Sequence, residues 1–485
     1  MGLSWGELLD TLRRADLLVS APASGPAPVE LTADSRSVRA GAMYLAVRGS
    51  QADGHRFIAD AVRRGATATV VEAPSESAVP EIVVHDGRRA ALLLAAAWFD
   101  HPARRLTLVG VTGTNGKTTT TGLIRHLLNS AGTSGSIGTL GAFDGAGEPV
   151  TSTAGTLTTP GPVDLQATFA ALLARGVDRV TMEASSHSLD QGRLDGLTFA
   201  AGVFTNLTRD HLDYHGTMES YLTAKLKLGS MLTESGVEVV NLDDAAWQVL
   251  PTRSRRLTFG MHAAADVRAA EITLGAAGSR FRLDGCFGAA EVSLPLLGDF
   301  NVANALAAAA CALGLGLPLA EVADRLSTSP QVPGRMELLS ERPCVVLRDY
   351  AHTPDALERA LATLRPLTTG RLVVVFGCGG DRDKGKRPLM GRIAAEGADV
   401  AVVTSDNPRT ENPGAIIDDI ERGMGGVPHV RIEDRLAAIH AALEQARPGD
   451  TLLLAGKGHE TYQILGTERV AFDEREIVTK AVGGS

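Results

Sequence analysis

The feature that most constrains this chain is the stretch Val109-Gly110-Val111-Thr112-Gly113-Thr114-Asn115-Gly116-Lys117-Thr118-Thr119-Thr120. The apolar run from Leu106 to Val111 predicts a buried strand. Gly122 to Leu128, with Leu123, Leu127 and Leu128 on one side, predicts a helix. The glycines between them let the backbone turn tightly and approach a ligand closely. Strand, glycine-rich turn, Gly-Lys-Thr and helix together make a phosphate cradle from Gly113, Thr114, Asn115, Gly116, Lys117, Thr118 and Thr119. Backbone N–H groups and the helix N-terminus face the phosphates, Lys117 supplies a point charge, and the Thr118 hydroxyl can ligate Mg²⁺. The strict P-loop pattern wants a glycine five residues before Gly116, where this chain has Val111, so the motif is a variant, Gly-x-x-Gly-x-x-Gly-Lys-Thr.

At 485 residues the chain is too long for one ordinary core, and length alone suggests about three domains. A net charge of −9 argues against bulk nucleic-acid binding, which needs a basic face, so positive charge for phosphates must be concentrated locally. The four cysteines, Cys286, Cys311, Cys344 and Cys378, lack Cys-x-x-Cys spacing and read as free thiols of a reducing compartment. Residues Met1 to Asp10 lack a secretory pattern, and no apolar run is long enough to span a bilayer. A soluble cytoplasmic protein is expected.

Residues 1 to about 100 alternate short strands with helical stretches, among them a helix from about Arg56 to Arg64, a strand from Ala68 to Val71 and a helix from Arg88 to Phe99. The polar loops Asp34-Ser35-Arg36 and Ser50-Gln51-Ala52-Asp53 could hold a sugar nucleotide; taken alone they read more readily as solvated turns. From about 101 to 336, the strand Val180 to Glu183 ends in a carboxylate beside the phosphate loop, where a Mg²⁺-side acid is expected. A third strand, Phe199 to Thr205, runs into a segment dense in oxygen and imidazole, which makes His211 a candidate metal ligand.

Thr217 can cap a helix through about Leu232, whose apolar stripe takes Met218, Tyr221, Leu228 and Leu232. Lys225 lies on that stripe. Burying an ammonium is costly unless it is paired or neutral. Either Lys225 snorkels to the surface or it sits in a site where its amine is neutral enough to act or be modified. From Val267 to Leu297 short alternating strands read as an antiparallel addition. Asn301 and Asn304 open an Ala-rich helix and could read a base edge or simply start the helix. A Pro/Ser-rich hinge, Ser327 to Gly334, precedes the last segment.

Residues 337–485 show repeated strand–helix alternation, which predicts a parallel, Rossmann-like sheet with helices on both faces. In such sheets ligands bind at the carboxyl ends of the strands. Those ends carry Asp349-Tyr350-Ala351-His352, the loop Gly377 to Lys384 with Arg382, Asp406-Asn407-Pro408-Arg409 and Gly456-Lys457-Gly458-His459-Glu460. Their convergence on one edge predicts a binding site.

Taken together, these motifs resemble the Mur ligases of peptidoglycan synthesis over nearly the whole chain, and within that family the members that add diaminopimelate. The resemblance rests on Asp34-Ser35-Arg36, the variant phosphate loop, Glu183-Ala184-Ser185-Ser186-His187, Arg209 to His215, Tyr221-x-x-Ala224-Lys225, Asn301 to Asn304, Gly334-Arg335-Met336-Glu337, Asp349 to Pro354 and the C-terminal loops. It implies a UDP-binding domain (1–100), a central P-loop ATPase (101–336) and a C-terminal amino-acid-binding domain (337–485), an α/β fold throughout. It implies that Lys225 is carbamylated by CO₂, which converts the amine to an oxygen ligand suited to Mg²⁺. It implies an acyl-phosphate made with ATP on UDP-N-acetylmuramoyl-L-alanyl-D-glutamate and attacked by the diaminopimelate amine. One Mg²⁺ would sit on Thr118 and Glu183, and a second on His211 and carbamylated Lys225.

By the same resemblance Ser35, Ser50, Gln51 and Ala52 touch the UDP part, while Thr158, Thr159, Ser185, Gln191 and Arg193 hold the muramoyl-peptide. Asn301, Arg335, Asp349 and His352 lie toward ATP. Arg382, Asp406, Asn407, Pro408, Arg409, Gly456 and Glu460 clamp diaminopimelate. Arg409 fits that substrate physically, because diaminopimelate differs from lysine by one carboxylate and a guanidinium pairs with a carboxylate in a bidentate fork. Glu460 can take the distal ammonium. A monomer acting on small molecules, without nucleic acid or membrane, is expected. The competing readings are a lysine-adding member of the family, a folylpolyglutamate synthetase, and a P-loop NTPase switch that would hydrolyse ATP with no amino acid present.

Overall fold

Apolar strands alternating with Ala- and Leu-rich helices build three sheets in chain order in the computed structural model, which describes residues 2–49, 52–75, 77–150 and 157–483. Ser50 and Gln51, expected on the UDP side, lie outside the described residues. The first sheet runs Leu18–Ser20, Glu81–Val84, Ala68–Val71, Ala42–Leu45, Glu30–Thr32 and is parallel except at its first pair. The third runs Glu337–Ser340, Val345–Asp349, Thr451–Ala455, Leu372–Phe376, Val400–Val403, Val430–Arg431 and is parallel beyond its first strand.

The middle sheet has ten strands. Its parallel heart is Arg255–Gly260, Leu232–Asn241, Phe199–Phe204, Thr107–Thr112, Arg179–Glu183 and Ser134–Gly138. The strands Val267–Gly275, Gly278–Gly285 and Gly288–Leu294 are antiparallel to one another, as the alternation predicts. They are not a separate addition, however: Val267–Gly275 pairs in parallel with Arg255–Gly260 and extends the same sheet. On one face the Lys117–Leu128 helix packs against Asp299–Gly314, whose run of fully buried alanines lets the two backbones come close.

The helix after Thr217 is shorter than its apolar stripe predicts. Thr217 does cap it, accepting from Ser220 N at 3.2 Å, but it ends at Leu226 and passes through a 3-10 turn, Lys227–Met231. Leu232 already begins a strand beside Phe199. Leu228 is fully buried in the turn, so an apolar residue at helical spacing here serves the sheet rather than a helix face.

Beyond the hinge, the chain is pinned rather than loose. Gly334 has φ +68°, and a Cβ there would overlap the His459 backbone. Its N–H donates to Glu337 Oε2 at 2.6 Å, and its carbonyl accepts from Tyr350 N at 2.9 Å. Glu337 is held in turn by Arg348 at 2.5 Å and by Arg475.

A second buried pair ties the last helix to the sheet. Arg435 and Glu474 have no exposed side-chain surface; Arg435 Nε donates to Glu474 at 2.8 Å and Nη2 to Ala455 O at 2.9 Å. Arg435→Ala leaves Glu474 buried without its cation and is expected to lower stability by about 3–5 kcal/mol, whereas Arg435→Met with Glu474→Leu should recover most of that loss. Urea unfolding followed by circular dichroism checks both; an Arg435→Ala midpoint equal to wild type would refute the assignment.

Candidate active site

The Thr107–Thr112 strand carries Val111 inside the sheet, where its carbonyl accepts from Ala184 N at 2.8 Å. The turn therefore starts after Thr112, and the missing glycine of the strict pattern falls on a strand position where a valine packs. Gly113, at φ +149°, lies where a Cβ would overlap Thr205 Oγ1; Gly116, at φ +82°, lies where one would strike the Asn304 side chain. Both positions require glycine. The turn is fastened by its neighbour at the same sheet edge: Thr114 N donates to Asn206 O at 2.7 Å, Asn115 N to Asn206 Oδ1 at 2.9 Å, and Thr205 Oγ1 to Asn115 O at 2.7 Å.

Two lysines converge on this turn. Lys117 Nζ donates to Gly113 O at 3.0 Å and Thr114 O at 2.7 Å. Lys225 Nζ donates to Gly113 O at 2.6 Å and lies 4.3 Å from the Tyr221 ring centroid. Lys225 is 1% exposed, so it does not snorkel; Lys227, half-exposed and paired with Asp190, does. Burial first, then the charge of Lys117, push Lys225 well below the usual lysine range. Burial also lowers Lys117, against the pull of Glu183 and Asp210. The Lys225 amine is thus set up for the neutral form, the form that adds CO₂.

Glu183 is 1% exposed and accepts from Thr139 N at 2.9 Å and Thr139 Oγ1 at 3.1 Å, with no cation in direct contact among the described residues. A buried carboxylate of this kind, beside the Thr118 hydroxyl, suits a hard cation. His211 is lowered to about 4, chiefly by burial and against the pull of Asp210, whose Oδ2 lies 3.5 Å from its Nε2; the shift favours the neutral imidazole. Among the described residues no three His, Cys, Asp or Glu side chains gather as a metal-ligand set. A cation here therefore has to draw on a hydroxyl, a modified lysine or the ligand's own oxygens.

These groups line one cavity of about 1040 Å³. One wall is a chain of hydrogen bonds: Thr158 Oγ1 donates to Thr139 Oγ1 (3.1 Å), Thr159 Oγ1 to Glu183 O (2.8 Å), Ser185 N to Thr159 Oγ1 (3.2 Å), and Arg193 to Thr159 O (3.0 Å) and Gln191 Oε1 (3.0 Å). Ala52 lines the cavity; Ser35 is buried in a 3-10 turn and does not. Opposite, Arg335 Nη2 donates to Thr118 Oγ1 at 3.0 Å and its guanidinium lies 4.7 Å over the Tyr350 ring. Asp349 accepts from Met336 N at 2.7 Å and is raised by burial to about 6. His352 is lowered by burial and hydrogen-bonds Tyr350 O at 2.8 Å. Of the two helix-start asparagines only Asn304 faces the cavity. Asn301 is turned to the structural task, donating to Leu297 O at 2.8 Å and accepting from Asn304 Nδ2 at 3.1 Å.

A second cavity, about 550 Å³, opens at the carboxyl edge of the third sheet and takes Arg382, Asp406, Asn407, Arg409, Gly456 and Glu460 in its lining. Pro408 does not line it; its carbonyl caps the turn by accepting from Glu411 N at 3.1 Å. Arg409 sits at φ +53°, with Nη1 donating to Gly380 O at 2.8 Å and its backbone N–H to Ile464 O at 3.1 Å. Burial and the nearby Arg382 hold its guanidinium below the usual arginine range. The two cavities share His187, Asp210, His211, Tyr350, His352, Asp355 and Arg382. Thr139 and Asn206 are not picked out as site residues by motif, and Asp210 and Lys457 stand only as members of longer motif segments; loops that end separate strands bring them into place.

Fold and cavity define a class, a three-sheet α/β protein in which a P-loop-like turn opens toward a second parallel sheet carrying its own polar edge. The family models for the Mur ligase catalytic domain, middle domain and glutamate ligase domain match residues 29–98, 111–312 and 334–458. The chain belongs to the Mur ligase family. It is 46% identical over 470 residues to the UDP-N-acetylmuramoyl-L-alanyl-D-glutamate–2,6-diaminopimelate ligase of Geobacillus kaustophilus, covering 94% of this chain and 95% of that one. It is 46% identical over 461 residues to the protein of that name from Gloeobacter violaceus, covering 93% of each. A solved structure of a ligase of the same name superposes with TM-score 0.66 at 35% identity, over 100% of this chain and 99% of that one. Folylpolyglutamate synthase of Mycobacterium tuberculosis, solved with ADP and AMPPCP, gives TM-score 0.62 at 17% identity over 76% and 92% of the two chains, a likeness of fold alone.

Gly113→Ala should abolish the thermal stabilisation given by ATP, since the added Cβ displaces Thr205 and with it the turn. A nucleotide-induced shift in melting temperature equal to wild type would show that the turn does not hold nucleotide.

Proposed function

We propose that this chain is an ATP-dependent ligase joining an amino group of 2,6-diaminopimelate to the D-glutamyl side-chain carboxylate of UDP-N-acetylmuramoyl-L-alanyl-D-glutamate. The observation that carries the reading is the shared wall of the two cavities. Phosphate-turn chemistry and the Arg409 pocket meet at His211, His352 and Arg382, so an activated carboxyl group and an incoming amine can be brought together. The names of the relatives at 46% identity support the choice of substrates.

A carboxylate does not accept an amine unaided. Its oxygen attacks the γ-phosphorus of ATP and ADP leaves; the acyl-phosphate is then attacked by the neutral amine, and the tetrahedral intermediate expels phosphate as the amine loses a proton. Lys117 and Arg335 stabilise the phosphoryl oxygens, and Lys117 exchanges its own loop carbonyls for them. Thr118 and Glu183 would hold one Mg²⁺, His211 and carbamylated Lys225 another, and Mg²⁺ when bound supplies charge neutralisation between the two anions. Thr158, Thr159, Ser185, Gln191 and Arg193 orient the peptide, with Ala52 toward the UDP part. Asp349 and His352 lie on the ATP side. The reading divides the chain at about residues 100 and 336 into UDP-, ATP- and amino-acid-binding parts, and places a monomer in the cytoplasm. No helix among the described residues is long and apolar enough to cross a membrane.

Arg409 in this reading pairs with the carboxylate that lysine lacks. When lysine binds instead, the half-buried guanidinium lacks that partner, which gives discrimination of about 2–4 kcal/mol. Arg409→Ala is accordingly expected to lose most diaminopimelate-dependent phosphate release, and near-normal turnover would defeat the assignment. The wild type should release phosphate only when the UDP-dipeptide and diaminopimelate are both present; release from ATP alone would favour the NTPase switch, and equal rates with lysine the lysine-adding reading.

Lys225→Ala should abolish ligation while ATP still binds. Protein equilibrated with ¹³C-bicarbonate should show a carbamate resonance that this variant lacks; its presence in the variant would place the carbamate elsewhere.

A further inference from the structure

Lys457 has no exposed surface and does not line the amino-acid cavity, yet the hydrogen-bond and ion-pair partners of its ammonium, Asp406, Asn407 and Glu460, all do. Nζ donates to Asn407 Oδ1 at 3.1 Å and Glu460 Oε2 at 3.0 Å, and lies 3.6 Å from Asp406 Oδ1. The glycines on either side explain how a lysine comes to point inward. Gly456 and Gly458 have φ +115° and +53°, and a Cβ at Gly458 would come within 2.7 Å of Tyr350 Cβ. The loop is thus folded tightly enough to turn the side chain between them under the cavity floor.

The Asn407 amide is oriented by this contact. Its Oδ1 accepts from Lys457 Nζ and from Ile464 N at 3.0 Å, so Nδ2 faces the other way and donates to Glu460 Oε2 at 2.8 Å. Glu460 is then held from two sides on one oxygen, leaving its other oxygen for a ligand ammonium. Lys457 also supplies a positive charge in direct contact with the Glu460 carboxylate and 3.6 Å from Asp406, from behind a pocket whose lining carries Arg382 and Arg409.

We propose that Lys457 is a positioning residue for the incoming amino acid: from behind the pocket it fixes the Asn407 amide and the Glu460 carboxylate in the orientation that receives the ligand's distal ammonium. This rests on the reading of that cavity as the amino-acid site. The role belongs to one substrate only, because Lys457 touches nothing on the ATP or UDP side.

Steady-state kinetics with each substrate varied in turn test it. Lys457→Met is expected to raise KM for diaminopimelate about tenfold or more, with KM for ATP and the UDP-dipeptide within about threefold of wild type. Glu460→Gln should raise the same KM, and the double variant should be no worse than the worse single, since Lys457 acts through Glu460. Lys457→Gln, which keeps a donor for Asn407 but no charge, should give an intermediate rise; it replaces the methionine variant in the cycle if that protein does not accumulate folded. Multiplying effects in the double variant, an unchanged KM for diaminopimelate, or a rise shared by all three substrates would overturn the proposal. A wild type that uses lysine and not diaminopimelate would instead defeat the substrate assignment, and the same cycle read with lysine would still decide the role of Lys457.

Discussion

Two ammonium groups share one backbone carbonyl, and the centre of the molecule is arranged around that crowding. Lys117 and Lys225 both donate to Gly113 O, in a protein whose overall charge is negative. Burial disfavours charge on both, and the Lys117 charge disfavours it further on Lys225. The arrangement persists because Gly113 is locked by Thr205 and Asn206 from the next strand, which also fix Thr114 and Asn115. A phosphate ligand that offers oxygens to Lys117 would relieve the crowding, as would the carbamate proposed for Lys225.

The same reasoning reaches the third sheet through Arg335. This residue follows the pinned Gly334, stacks on Tyr350 and donates to Thr118, so it belongs to the linker by sequence and to the phosphate site by contact. Because Gly334 packs on Gly458 and His459, the linker is in register with the loop that carries Lys457 and Glu460. The loops that carry Thr118 and Glu460, the proposed nucleotide and amino-acid sides, are therefore joined through the short linker segment Gly334–Arg335.

Much of this was legible in sequence wherever a short pattern has one structural solution. The phosphate turn, the helix cap at Thr217, the antiparallel strands after Val267 and the strand–helix alternation after residue 344 all follow from local periodicity and turn chemistry, with ends displaced by a residue or two. The resemblance to Mur ligases added the family, and the family models and relatives bear it out. The helix predicted to run to Leu232 failed because burial of Leu228 looks the same on a helix face and in a turn feeding a strand. The parallel strands Leu232–Asn241 and Arg255–Gly260 carry no sharp turn signal, and their place in the sheet is decided by pairing with residues far away in sequence.

Site residues divide along the same line. Lys117, Glu183 and Lys225 announce themselves as charges on apolar or strand-end positions. Thr139 and Asn206 do not, because nothing local distinguishes them from solvated loop residues, and Lys457 is marked only as a member of the Gly456–Glu460 cluster; each acquires a partner from another loop. Asn301 and Asn304 make the limit concrete. Both start the same helix, and only the rotation of that helix against Lys117–Leu128 turns Asn304 to the cavity and leaves Asn301 bonded to the helix's own approach. Pattern can therefore nominate the pair, but which member faces the ligand is a property of helix packing, set by the alanines that let the two helices come so close.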